Sequence, residues 1–408
     1  MIEYETLHGK PLAPVKLRTC SSQIPAHVIC TCCGAPHVYL YFNDGKKRSQ
    51  ILCKVCSHLF QVDRRFRTIR KSKLFCPHCG LALYRWKSQK EVTIHKCPND
   101  NCPHRVQALA KLNKAERELM KKKSSQFKIN YQYREYHYKP EELELSSPNK
   151  PPVELARIYN SENVLGLILT FYVSFAVPAR KTAQILRDVF CIKVSHQTIL
   201  NYAAGAAWYC HRFNFKHKGL IDEISAGDET YIKILGKHQY VFFFISAKSL
   251  KITSYHLADN RGTQPAVIAM NEAIRTASDD QKITLVTDGN PSYPAGIHFI
   301  NAQFEDDTST IQHKKVIGLQ NLDTESEEFR SYKQLIERLN RTYKYHVRPA
   351  AGFNSKNGAL SLTTLFVTNY NFLRPHMSLG YKTPVPMPEL KMLPTIQAKW
   401  TKILSLAA

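Results

Sequence analysis

Four pairs of cysteines punctuate the first hundred residues, and their spacing constrains the fold more than any other feature of the chain. Cys30-x2-Cys33 is followed after 19 residues by Cys53-x2-Cys56, and Cys76-x2-Cys79 after 17 residues by Cys97-x4-Cys102. Each short loop presents two sulfurs and the intervening hairpin brings the pairs together, so four thiolates surround one tetrahedral Zn²⁺. Two structural zinc ions are therefore expected, held by Cys30, Cys33, Cys53 and Cys56 and by Cys76, Cys79, Cys97 and Cys102. A redox or disulfide role is the alternative. Secreted disulfide scaffolds are usually shorter and poorer in lysine, whereas here ten of twelve cysteines lie at or before Cys102, which reads as metal binding in a reducing cytoplasm. A four-thiolate shell is closed and leaves no position for a catalytic water. These modules hold structure and present a surface to DNA or protein. Cys32 is placed to exchange with a neighbouring ligand, while Cys20, Cys191 and Cys210 read as core or incidental thiols; His78 and His104 are surplus to the four-sulfur sites.

The charge balance names a partner class. Lys and Arg number 57 against 33 Asp and Glu, a formal net charge of +24 over 408 residues, which favours a polyanion and makes nucleic acid the expected partner. A membrane surface is the rival. The opening "MIEYETLHGK" lacks the regions of a signal peptide, and the longest uncharged run, Asn163 to Ala179, is short for a bilayer span and contains Pro178. It reads as a buried helix, and no membrane association is expected.

Composition divides the chain. Residues 1–105 hold the cysteine modules, 106–152 form a basic, Tyr-rich arm and a Pro/Ser/Glu linker, and everything after Val153 is globular. In "ARKTAQILRDVFCIKVSHQTILNYAAGAAWY" one helix, a break at "CIKV" and a second helix capped by Ser195 make a helix-turn-helix, placed within 153–215. Residues 220–390 follow as a separate α/β domain, with a tail at 391–408. Three strand-like runs, a helix, a fourth strand "KITLVTDG" and later helices argue for a multidomain α/β chain. No Gly-rich phosphate loop occurs.

Acids inside strand-like runs need a reason. In "SAGDETYIKILGKHQY", alternation places Asp228 on a face with Ala226, Thr230, Ile232 and Ile234, and Glu229 on the other with Tyr231 and Lys233. Alone, Asp228 is as well explained by bonding to turn amides. Asp288, however, closes a second apolar strand, and the carboxyl ends of strands are where α/β sites assemble. Two carboxylates facing one site repel each other unless a cation is present. On the long helix, Arg341 and Lys344 fall within roughly 40° of Glu337 at about 100° per residue, with Leu335 and Leu339 opposite. Glu337 thus heads an exposed acid-base stripe; an ordinary i,i+4 helix pair is the simpler alternative. Glu325, Glu327 and Glu328 are rivals near the helix start, where acids favour the macrodipole. Asp306, Asp307 and Asp323 read as loop or cap acids.

The trio Asp228, Asp288 and Glu337, carried by a first strand, a fourth strand and a late helix, resembles the DDE core of insertion-sequence transposases and retroviral integrases. "DETYIKILGKHQYVFFFISA", "TDGNPSY" and "IERLNRTYKYHVRP" resemble the three motifs of bacterial DDE transposases, and "NYNFLRPHMSLGYKTP", which contains Arg374, resembles their closing segment. The resemblance covers roughly 160 to 390. The interval from Asp288 to Glu337 is longer than in many such families, and tandem zinc ribbons are a less usual front end.

The resemblance implies an RNase H-like mixed sheet flanked by helices, preceded by the helix-turn-helix and two zinc ribbons. It also implies a transposase: three carboxylates hold two Mg²⁺ (or Mn²⁺) ions for in-line phosphodiester displacement. Water first cuts at the element end, and the freed 3′-hydroxyl then attacks target DNA. Arg341, Lys344 and Arg374 would contact phosphates, and His196, Gln197 and Asn201 would face base edges from the second helix of the helix-turn-helix, with Ile199, Leu200 and Ala203 packing inward. The basic arm, residues 121–138, would track phosphates or stack on bases, or stay a solvated charge run. Double-stranded DNA as partner (element ends and target), a homodimer or higher oligomer on it and a cytoplasmic, nucleoid-associated location are implied by the same resemblance. The rivals are a catalytically inactive DNA-binding protein derived from a transposase, a nuclease that cuts without joining, and a zinc-ribbon protein of RNA metabolism.

Overall fold

The computed structural model describes residues 5–6, 9–16, 23–43, 50–60, 74–123, 126–151, 153–278, 281–304, 311–318 and 324–408. Cys20, Asp306, Asp307 and Asp323 lie outside them, as does the side chain of Glu325. The chain divides into two compact units, residues 1–83 with 97–110, and residues 84–96 with 111–408.

The first unit is small. Strands β1 (Leu40–Phe42), β2 (Ile51–Cys53) and β3 (Leu59–Phe60) pair antiparallel. Ile24, Val28, Leu40 and Ile51 share its core with the buried Cys30 and Cys53. So few apolar side chains make a core of the size that ordinarily needs a metal or disulfide to hold it. Helix α1 (Pro103–Ala110) follows the last cysteine pair.

The second unit opens on another antiparallel sheet, β4 (Tyr84–Ser88), β5 (Val92–Lys96) and β6 (Gln132–Tyr136). Helix α2 (Lys114–Lys122) starts at a reciprocal cap in which the Glu116 amide donates to Asn113 Oδ1 at 2.8 Å and the Asn113 amide to Glu116 Oε2 at 2.9 Å. Strand β6 lies in the Tyr-rich arm. There the aromatic side chains pack against protein: Tyr133 meets His298 edge-on at 4.5 Å and Tyr138 meets Phe299 at 5.4 Å. Farther along, the Ser146 amide donates to His256 Nδ1 at 3.1 Å and the Leu257 amide to Ser146 Oγ at 2.9 Å. His256 and Leu257 lie on an edge strand, so this segment covers backbone groups that an edge otherwise leaves open.

The main sheet has five strands: β7 (Ile224–Ile234), β8 (Lys237–Ser246), β9 (Ile252–Ala258), β10 (Thr284–Thr287) and β11 (Gln312–Lys315), in the order β11-β10-β7-β8-β9. β8 is antiparallel to β7 and β9, whereas β10 runs parallel to β7 and β11 parallel to β10. Counted within the domain the order is 3-2-1-4-5, the RNase H-like arrangement. The run "VFFFIS" on β8 is buried on both faces, as a central strand requires. Phe243 and Ile245 pack with Ile336, Leu339, Tyr343 and Phe366 of α8 (Thr324–Val347) and α9 (Lys356–Thr368). Phe242 and Phe244 pack on the opposite side with Val267 and Met270 of α6 (Thr263–Ile274) and Tyr293 and Ile297 of α7 (Ser292–Asn301).

A helical layer completes the unit. Helix α3 (Glu162–Leu169) continues into a wider turn at Thr170–Ser174, so the uncharged run is helical only to Ser174. Then come α4 (Ala179–Phe190) and α5 (His196–His217), separated by a break in which Cys191 is left-handed at φ 56°. Ser195 caps α5, accepting from the Thr198 amide at 3.0 Å. Ile199 and Ala203 are buried, but Leu200 is 38% exposed. The inward packing expected of Leu200 is therefore wrong: it lies three residues after the exposed Gln197, nearly one turn on, and shares that outer face. After the short helix α10 (Pro388–Lys391), the carboxyl-terminal segment folds as α11 (Ile396–Ala407). Its Trp400 is fully buried, with Nε1 donating to Ser174 Oγ at 2.9 Å.

Candidate active site and metal centres

Strand β10 ends at Thr287, and its register with β7 runs only from Thr284 opposite Ile224 to Val286 opposite Ala226. Asp288 therefore leaves the sheet just past the carboxyl end of β10 and level with Asp228, which lies within the longer parallel strand β7. One oxygen each of Asp228, Glu229 and Asp288 lies within 4.8 Å of the others. Gly227, immediately before them, leaves room for the Phe244 ring: a Cβ there would lie 2.2 Å from Phe244 Cε1.

Each carboxylate is held by a separate set of donors. Asp228 Oδ2 accepts from Lys333 Nζ and from Asn340 Nδ2, both at 3.2 Å, and Oδ1 accepts from the Glu229 amide at 3.0 Å. Burial drives the Asp228 carboxyl up to about 6; Lys333 opposes this, and Glu229 and Asp288 reinforce it. Asp288 Oδ1 accepts from the Asn290 amide at 2.9 Å. Glu229, only 6% exposed, accepts from Tyr293 Oη at 2.6 Å and Asn290 Nδ2 at 3.1 Å, with Arg261 at 3.7 Å. Beside the site, Thr287 Oγ1 and His313 Nε2 are 2.8 Å apart, and burial brings His313 down to about 4.

Glu337 is not one of the three clustered acids. It is half-buried on α8, one turn after Lys333 and three residues before Asn340, on the stripe that reaches Asp228. That stripe is not the exposed face expected from the sequence. Ile336, Leu339 and Tyr343 face the sheet, and the line through Lys333, Glu337, Asn340 and Lys344 runs along the border of that buried face. Lys333 is 5% exposed, and the Lys344 ammonium sits 4.3 Å from the centre of the Tyr231 ring. Arg341 remains exposed. Glu327 pairs with Arg330 at 3.0 Å, away from the cluster, and Glu328 is exposed.

Sequence reasoning missed Glu229, Asn290, Tyr293, Lys333 and Asn340. The alternation rule placed Glu229 correctly, opposite Asp228, but beyond the end of β10 both side chains reach the same open space. "TDGNPSY" holds both Asn290 and Tyr293, so their proximity to Asp288 in the chain was the available signal. Lys333 and Asn340 share the Glu337 stripe at i−4 and i+3 and were legible as its neighbours.

The remaining sites are dispersed. Arg341 and Arg374 line one cleft of 580 Å³ with Tyr345 and Asn369. His196 and Gln197 are exposed at the start of α5, where Gln197 Nε2 donates to Asn201 Oδ1 at 2.9 Å. Among the described residues no helix is long and apolar enough to cross a membrane.

In the first unit, Cys30, Cys33, Cys53 and Cys56 form one four-sulfur cluster, and Cys76, Cys79, Cys97 and Cys102 another. Sulfur separations are 3.6 Å for Cys30–Cys56 and Cys33–Cys53, 3.8 Å for Cys76–Cys102 and 3.5 Å for Cys79–Cys97. Disulfide bonds of about 2.05 Å are excluded at those distances. A tetrahedron with metal–sulfur bonds of about 2.3 Å has edges near 3.8 Å, so both clusters fit a zinc-sized ion. The Leu81 amide holds the Cys79 thiol down to about 7, whereas burial pushes the thiols of Cys53, Cys76 and Cys97 up. Cys32 is exposed and outside the first cluster; the His78 and His104 rings meet at 4.9 Å, tilted by 40°.

Comparison with known families places these features. Residues 225–355 match the family described as DDE domain, and residues 331–384 match the Integrase core domain. Matched solved structures include the HTLV-2 integrase catalytic core domain in complex with magnesium (trimeric form), at 17% identity, 40% of this chain and 95% of that one, TM-score 0.26. The simian T-cell lymphotropic virus intasome in complex with the PP2A regulatory subunit B56 gamma matches at 17% identity, 56% and 80% coverage and TM-score 0.28. The Mos1 strand transfer complex matches at 12% identity, 74% and 91% coverage and TM-score 0.21. No curated protein sequence matches the chain.

Proposed function

On the premise that residues 225–384 are a DDE transposase domain of the integrase-core kind, we propose that the chain cuts phosphodiester bonds at the ends of a DNA element and joins the freed 3′-hydroxyl to target DNA. The observation that carries this reading is the meeting of Asp228, within β7, and Asp288, just past the end of the parallel strand β10, with oxygens within 4.8 Å. Repulsion among buried carboxylates at that separation is relieved by divalent cations. Asp228, Asp288 and Glu337 are the proposed ligands for two Mg²⁺ or Mn²⁺ ions. When bound, such ions activate the attacking oxygen and stabilise the leaving oxygen of an in-line displacement.

The chain's own residues do the rest. Asn290 and Tyr293 hold Glu229 and the turn after Asp288, so the second acid stays aimed at the first. Arg341, Lys344 and Arg374 position the strand through its phosphates, which locates DNA without reading it. His196, Gln197 and Asn201 on α5 face base edges. The two cysteine clusters hold structural Zn²⁺ and stabilise a DNA-binding front. This reading keeps the division into 1–105, 106–152, 153–215, 220–390 and 391–408, with the arm and the tail helix also serving as packing elements. It places the protein in the cytoplasm, on nucleoid DNA, as a dimer or larger assembly.

The test is a strand-transfer assay, with Mg²⁺ or EDTA, on DNA carrying the sequences that flank this reading frame, where short inverted repeats are expected. Joined products in Mg²⁺ alone are expected. Hydrolysed ends without joining would reduce the protein to a nuclease, and end binding without cleavage to an inactive DNA binder.

A further inference from the structure

Lys333 is an unusual neighbour for a carboxylate proposed to bind metal. Its side chain is 7% exposed, and its ammonium lies 3.2 Å from Asp228 Oδ2. A buried ammonium is costly unless paired, and Asp228 is its ion-pair partner. The other two clustered acids are supported differently. Glu229 is held by a phenol, an amide and the largely exposed Arg261, and Asp288 by a backbone amide. Among the described residues the cluster of three carboxylates thus has one buried cation, the Lys333 ammonium, and it is paired with Asp228.

The chemistry of lysine suits a replaceable partner. An ammonium is a compact, strongly hydrated point charge on a flexible four-carbon stem, without the two-point grip of a guanidinium. Asn340 Nδ2 binds the same Oδ2, so the carboxylate keeps a neutral donor if the ammonium leaves. Lys333 also lies one turn before Glu337 on α8, within the border stripe, so any ion shared by Asp228 and Glu337 enters the space its head group uses.

We propose that Lys333 is a built-in counter-cation for Asp228 that a divalent ion displaces. It keeps the metal-free site folded and sets how tightly the site takes metal. This rests on Asp228 being a metal ligand. Two consequences follow. Removing the ammonium deepens the negative potential at the site, so divalent ions bind more tightly; at a few ångströms an opposing unit charge is enough for at least tenfold. It also leaves three carboxylates unrelieved, so the metal-free protein is less stable. A residue that merely fills space would produce the second effect without the first.

The experiment uses the full chain with its zinc retained and Mn²⁺ as the probe. Mn²⁺ affinity is measured calorimetrically, and melting temperature with and without Mn²⁺, for wild type, Lys333→Met, Lys333→Arg and Asp228→Asn. Lys333→Met is expected to melt lower than wild type without Mn²⁺, to bind Mn²⁺ at least tenfold more tightly and to gain more from it in melting temperature; Lys333→Arg, which keeps the charge and can grip the carboxylate at two points, binds Mn²⁺ more weakly than wild type. Affinity in Lys333→Met equal to or weaker than wild type, with Asp228→Asn still impaired, overturns the role of Lys333 alone. Equal affinity in Asp228→Asn and wild type overturns the metal-site reading itself. Should Lys333→Met fail to fold, the wild-type protein gives the answer: acylation of the Lys333 amine, followed by mass spectrometry, is expected to speed up when Mn²⁺ is added. An unchanged rate refutes displacement.

Discussion

Tyr293 donates its phenolic hydrogen to Glu229 Oε2 across 2.6 Å, tying the first turn of α7 to the middle of β7. The Tyr293 ring is fully buried, and burial, then the Glu229 charge, raises its hydroxyl well above the ordinary range. It therefore remains a donor at every working pH. Through Asn290, which donates to Glu229 from its side chain and to Asp288 from its backbone, the same bond steadies the turn carrying Asp288.

Tyr293→Phe removes that donor and nothing else. A hydrogen bond to a buried charged group contributes roughly 1.5–3 kcal/mol. Stability should fall by about that amount, read as a shift of the urea midpoint. No shift would mean that Glu229 is held without Tyr293.

Gly227→Ala forces a methyl group into the Phe244 ring at 2.2 Å. Phe244, on β8, is itself fully buried and meets Tyr293 of α7, so the ring cannot swing to solvent. Overpacking of this kind costs roughly 1–3 kcal/mol. The loss should be partly reversed in Gly227→Ala/Phe244→Leu, a coupling measurable in a double-mutant cycle. Additive losses would contradict the contact.

His256 couples the 140–150 segment to pH. Its Nδ1 accepts from the Ser146 amide, which requires a ring nitrogen without a proton. Burial, then Lys356, lowers it from 6.5 to about 4. The unfolded chain takes up the proton near 6.5 and the folded one only near 4, so the stabilisation is whole above pH 6.5 and drains as pH falls toward 4. The full descent is of the order of 3 kcal/mol. Melting temperature should fall across that window, and less steeply in His256→Gln, whose amide oxygen still accepts. Parallel curves would remove His256 from the account.

Zinc should be present at about two ions per chain, and Cys53→Ser should lower this and loosen the first unit. Cys53 is both a cluster member and part of the small core with Leu40 and Ile51, so metal loss and core loss coincide. Metal analysis with limited proteolysis checks both. Full zinc content in Cys53→Ser would contradict the assignment.

Much of this was legible in the sequence because it depends on local pattern. The cysteine spacing, the strand alternation around Asp228, the cap at Ser195 and the closing Asp288 are each set within a dozen residues. What escaped depends on how elements meet. The phase of α8 against the sheet, decided by Ile336, Leu339 and Tyr343, turns Lys333 inward and half-buries Glu337. The place where β10 stops decides that Glu229 joins Asp228. Trp400 made the last segment a packed helix, yet its partner Ser174 is 226 residues away, a separation that no local pattern reports.

The most direct measurement is calorimetric titration of Mn²⁺ into the zinc-loaded protein and its Asp228→Asn, Asp288→Asn and Glu337→Gln variants. The account expects binding by the wild type, and at least tenfold weaker binding in each variant, because each would lose one ligand of a shared site. Affinity unchanged by all three substitutions would contradict it, and would leave a basic, cysteine-stapled DNA binder without a phosphodiester chemistry.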